Sequence, residues 1–94
     1  MRYKIEYSRT RTDRWGHILP SPPMRVEWAA TLEEAMSKAL CLSKAFKKWD
    51  VNVLDMKGPK LDDEDVAGAT TWGVCGYFNG KLIDTNDLYF SKIK

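Results

Sequence analysis

Cysteine, histidine and long apolar runs are all scarce in this 94-residue chain, and each scarcity removes a class of protein. Two cysteines, Cys41 and Cys75, are too few to staple a secreted scaffold, and they read as reduced, half-buried thiols. The single histidine, His17, has Ser8, Thr10, Thr12 and Asp13 around it in no hydrolase-like arrangement, so no nucleophile-and-base site is expected. One histidine and two separated cysteines do not make a zinc site either. Asp62-Asp63-Glu64-Asp65 lacks the alternating ligand spacing of a calcium loop and reads as a solvated connection. Gly73 and Gly76 sit inside a strand pattern rather than opening a helix, which excludes a phosphate-binding loop. Neither enzyme activity nor any cofactor or metal is expected. No apolar run approaches the ~20 residues that span a bilayer, and no signal-peptide pattern follows Met1, so the expectation is a cytoplasmic protein without a membrane.

What the chain does carry is an ordinary globular composition, 44% hydrophobic and 30% charged, which argues against disorder of the whole. Its length suits a single small domain, residues 1–94, with one thin core. Four Trp, four Tyr and three Phe suit that core, and the same rings make good interface anchors. Net charge is only +2 but unevenly placed. Residues 1–60 hold 12 Lys/Arg against 7 Asp/Glu, giving +5, and residues 61–94 hold 3 against 6, giving −3. One basic and one acidic surface region are expected.

The clearest local signal runs from Thr31 to Trp49. Thr31 and Glu34 form a capping box. Leu32, Ala35, Ala39, Leu42, Phe46 and Trp49 then recur every three or four residues, with Met36 beside them, as on one face of an amphipathic helix. Strand patterns flank it. Tyr3, Ile5 and Tyr7 alternate with polar residues, as do Met24, Val26 and Trp28, and Val51 and Val53 follow the helix. Asn79-Gly80 between Trp72–Phe78 and Lys81–Asp84 marks a hairpin with a type I′ turn, and Leu88, Phe90 and Ile93 suggest a last short strand. Gly73 and Gly76 imply a bulge. The fold class is therefore α+β, a single antiparallel sheet in β-β-α-β-β-β order against one helix. One sheet face is left solvated or used, and the sheet edges leave the oligomeric state open.

Ser8 to Pro23 is long for a connection, and Pro20, Pro22 and Pro23 deny it a regular ladder. It concentrates Arg9, Arg11, Arg14, Trp15 and His17. Arginine forks recognise phosphates and carboxylates, and tryptophan offers a flat stacking face. Together with Arg25, and with Trp72 and Tyr77 as anchors, these are the candidate binding residues for a protein or ribonucleoprotein partner. Direct nucleic-acid binding through loop 8–17 is the alternative.

Met24-Arg25-Val26-Glu27-Trp28, Thr31-Leu32-Glu33-Glu34-Ala35 and Val51-Asn52-Val53-Leu54-Asp55 together resemble a strand, helix and strand pattern of small phage-encoded anti-CRISPR proteins. The resemblance covers about a third of the chain. It implies a protein without catalysis that inhibits a host nuclease or defence complex. The second hairpin lies outside it, and the positive net charge argues against a plain DNA mimic.

Overall fold

Alternation of Tyr3, Ile5 and Tyr7 with Lys4 and Glu6 gives β1 (Tyr3–Arg9) in the computed structural model, which describes residues 1–9, 11–19, 24–58 and 70–93. Among these residues there follow β2 (Arg11–Thr12), β3 (Ile18–Leu19), β4 (Arg25–Ala29), α1 (Leu32–Ala45), β5 (Trp49–Gly58), β6 (Thr70–Phe78), β7 (Lys81–Thr85) and α2 (Asp87–Lys92). β4-β1-β5-β6-β7 form one antiparallel five-stranded sheet. β2 and β3 make a separate two-stranded ribbon within the long first connection. The acidic stretch 62–65 and the three prolines of 20–23 lie outside the described residues.

α1 begins at Thr31 as expected, but Glu34 reaches one residue past the cap amide, to Ala30. Thr31 Oγ1 accepts from the Glu34 amide at 3.2 Å, and Glu34 Oε2 accepts from the Ala30 amide at 3.2 Å. The helix ends earlier than the apolar stripe suggests. Phe46 leaves helical geometry at φ −110°, Lys48 turns left-handed at φ 67°, and Trp49 opens β5. A period of three or four does not distinguish a helix from a helix that turns sharply into a strand, so Phe46 and Trp49 still meet, now as stacked neighbours. The buried line of α1 is Ala35, Ala39 and Ser43. Three small side chains at this spacing let the helix lie close over the tyrosines of the sheet.

Directly paired residues share a sheet face, so the register assigns the two sides. Tyr3, Ile5, Tyr7, Val51, Val53, Asp55, Trp72, Cys75 and Tyr77 are buried on the side of α1 and α2. Lys4, Glu6, Leu54, Asn52, Gly73, Gly76 and Asp84 share the open side. β4 corrects the expectation drawn from its alternation. Ile5 pairs with Glu27 and Tyr7 with Arg25, so the polar residues of β4 face the helix side while Val26 and Trp28 stand on the open side, 40% and 42% exposed. At a sheet edge the covering helix falls short, and the long polar chains there reach solvent past it.

The second hairpin forms as its turn sequence requires. Asn79 and Gly80 take φ 51° and 75°, and β6 shifts register between Val53 and Leu54 so that Val74 is the extra residue. The last segment is a short helix rather than a strand. Asn86 Oδ1 accepts from the Tyr89 amide at 3.2 Å and caps α2, which inserts Tyr89 fully into the core.

Candidate docking surface

Asp13 builds the tip of the ribbon. Its Oδ1 accepts from the amides of Trp15 and His17, both at 2.9 Å, and its backbone exchanges bonds with Gly16 and His17. Gly16 supplies the left-handed residue the turn needs, at φ 82°. His17 Nδ1 lies 3.1 Å from Asp13 Oδ2, so the imidazole serves the turn. This self-contained turn leaves Trp15 73% exposed, with the Arg14 guanidinium 5.3 Å from its ring. Trp15 is therefore presented outward and is not folded back on the core.

A second group of cations stands where the ribbon leaves the sheet. Arg9 ends β1 opposite Trp49 and is exposed. The Arg25 guanidinium lies 5.7 Å from the Phe46 ring and 5.4 Å from the Trp49 ring. Those rings and Tyr7 form a three-ring cluster with centroids 5.0–5.9 Å apart. Aromatic faces hold a guanidinium without neutralising it, so Arg25 keeps its charge and loses its freedom. Lys44, Lys47 and Lys48 follow at the C-terminal end of α1, all exposed. The Asn79-Gly80 turn docks there, with Asn79 Oδ1 accepting from the Lys48 amide at 2.8 Å and Ser43 Oγ from the Gly80 amide at 2.6 Å. Asp50, on β5 at this end, has its carboxyl pushed above the usual range by burial.

The expected anchors on β6 are not at this surface. Trp72 and Tyr77 are 8% and 4% exposed, because pairing with Asp55 and Val51 turns both toward the helix side. Trp72 stacks with Tyr89 at 6.0 Å, and burial pushes the Tyr77 phenol up to about 12. The structure thus brings Arg9 and Arg25 to one end of the sheet, places Arg14, Trp15 and His17 on the ribbon tip, and puts Trp72 and Tyr77 in the core. Arg11 lies in β2, and its side chain is outside the described features.

The open face holds a groove of about 580 Å³ that the sequence did not announce. It forms over Gly73, and Glu6, Asn52, Asp84 and Asp87 line it. Glu6 is already paired with Lys4 Nζ at 3.0 Å. Among the described residues no three His, Cys, Asp or Glu side chains are grouped to hold a metal ion. No described helix is long and apolar enough to cross a membrane. Comparison with protein-family models, with curated proteins and with solved structures gives no match for this chain.

Proposed function

We propose that this chain is a binding protein without catalysis, which docks on an acidic surface of another protein or ribonucleoprotein through its ribbon tip and the basic end of the sheet. The observation that carries the reading is Trp15. A large ring held 73% exposed on a turn tied by its own hydrogen bonds, with an arginine stacked beside it, is positioned for a partner rather than for the fold. The cations at the end of the sheet supply long-range attraction, and Trp15 supplies the desolvated anchor. The resemblance of residues 24–55 to anti-CRISPR proteins gives the partner a class, a nuclease or defence complex that this protein inhibits.

A second reading is direct nucleic-acid binding by the same arginines, favoured by Arg14, whose guanidinium lies 5.3 Å from an exposed ring on which a base would stack. One pair of measurements separates the two. Affinity capture with the wild type, with Trp15→Ala and with the Arg9→Glu, Arg11→Glu, Arg14→Glu triple variant tests the first. A stoichiometric partner retained by the wild type and lost by both variants supports docking, and its absence at every salt concentration removes it. A mobility shift at low ionic strength that weakens steeply with salt would replace protein docking by phosphate binding.

A further inference from the structure

β4 is an edge of the five-stranded sheet, and among the described residues no strand covers its outer side. Its residues Arg25 to Trp28 are all exposed, and Met24, Val26 and Trp28 are 55%, 40% and 42% exposed. An apolar edge of this kind invites another strand unless something blunts it. Its sequence carries a pairing code. If two copies of Met24-Arg25-Val26-Glu27-Trp28 run antiparallel about Val26, Arg25 stands opposite the partner's Glu27, and Glu27 opposite the partner's Arg25. On the other face Val26 meets Val26, and Met24 meets Trp28. Every charge then faces its opposite and every apolar side chain faces another.

We propose that this protein forms a two-fold symmetric dimer by antiparallel pairing of β4 with β4 of a second copy, centred on Val26, with reciprocal Arg25–Glu27 pairs across the joint. Such an interface is isologous, so one favourable cross-strand pair appears twice by symmetry. Both side chains are already held on the helix side of the sheet. Arg25 rests on Phe46 and Trp49, and Glu27 Oε1 accepts from the Tyr7 hydroxyl at 3.4 Å. Lys38 Nζ donates to the Trp28 carbonyl at 2.9 Å and occupies one of its two acceptor sites, leaving the other for a strand. The axis stands normal to the sheet, so the two α1 helices lie on one side with the flanks that border Glu27 turned together. That flank is a shallow hollow of about 370 Å³ lined by Glu27, Ser37, Lys38, Cys41 and Leu42. The basic ends of the two copies point in opposite directions, so the dimer offers two separate docking surfaces.

Sedimentation equilibrium over a concentration series tests this on the full chain. The wild type is expected to show a monomer–dimer equilibrium. Arg25→Glu and Glu27→Arg singly should each weaken it at least ~10-fold, and the combined swap R25E/E27R should restore it, because opposite charges again face each other. A bifunctional maleimide should join Cys41 to Cys41 in the wild type and the swap, but not in either single variant. Val26→Lys, which places two ammonium groups at the axis from the solvent side, provides a variant that does not disturb the ring cluster and should be monomeric. A wild type that stays monomeric to ~1 mM overturns the proposal. A dimer indifferent to the single reversals or to Val26→Lys, or a swap no tighter than its parents, overturns it as well.

Discussion

Asp55 is the residue on which most of the buried polar chemistry converges. It is fully buried, and its carboxylate accepts from Arg2 Nε and Nη2, both at 2.8 Å, from the Tyr89 hydroxyl at 2.6 Å and from the Lys57 amide at 3.0 Å. Burial by itself raises the pKa of this carboxyl. The hydrogen bonds from Arg2, Tyr89 and Lys57 together outweigh it and hold the group below the usual carboxylate range. Burial and the Asp55 acceptor in turn push the Tyr89 phenol far up. Asp55→Ala leaves the Tyr89 hydroxyl without its partner inside the core while Arg2, partly exposed, rehydrates. The expected cost is about 2–3 kcal/mol in a denaturant titration. Because the folded-state pKa is depressed, the stability from Asp55 is fully present above ~4 and disappears as pH falls through the lower folded value. Acid unfolding followed by circular dichroism should therefore begin below ~4 in the wild type, and Asp55→Asn should flatten that part of the profile. The two thiols differ in the same manner of environment. Cys41 is exposed, while burial pushes Cys75 up to about 11. A thiol reagent should label one cysteine in the native protein and the second only after unfolding.

At the level of elements, close approach decides more than propensity. Gly58, the last residue of β5, lies under the Trp72 ring, and a Cβ there would fall 2.2 Å from Trp72 Cδ1. Gly58→Ala must therefore move the indole or the strand end, at an expected cost of about 1–3 kcal/mol measured by thermal unfolding. The C-terminal end of α1 is secured by stacking. Phe46 touches Tyr7 and Trp49 and shares Arg25 with Trp49, so Phe46→Ala should cost about 3 kcal/mol and leave Arg25 on the Trp49 ring alone. A nuclear magnetic resonance spectrum of that variant should show the Arg25 side-chain signals losing part of their ring-current displacement, the remainder coming from Trp49. Asn79→Ala removes both a residue tolerant of positive φ and the acceptor of the Lys48 amide, and loosens the hairpin from the same helix end.

Over the whole molecule, charge is separated by the fold as well as by the chain. β1 and α1 both run toward the end where Arg9, Arg25, Lys44, Lys47 and Lys48 gather, while Asp84 and Asp87 line the groove over Gly73 on the open face. Docking on an acidic surface, as proposed, should therefore be steered. Lys44→Glu with Lys47→Glu is expected to lower the association rate about tenfold at low salt, to leave the melting temperature nearly unchanged, and to lose its effect as ionic strength rises. Stopped-flow association against salt concentration checks this. Trp15→Ala should act chiefly on dissociation, since an anchor ring contributes after encounter.

Much of this architecture was legible locally. Thr31 and Glu34 could only begin a helix, Asn79-Gly80 could only favour a tight left-handed turn, and alternation in Tyr3–Tyr7 made a half-buried strand, because each depends on the physics of a few adjacent residues. Asn86 was equally local as a cap, and was hidden by the apolar spacing of Leu88 and Phe90 after it. The side to which a ring points is a different matter. Trp72 and Tyr77 went to the core, Val26 and Trp28 to the open face, and Asp55 to the centre of a polar network through the register between strands far apart in the chain. A shift of one residue in such a pairing exchanges the two faces, and that choice belongs to long-range packing. The same packing brought Arg25 onto Phe46 and Trp49, a contact that no spacing along the chain encodes.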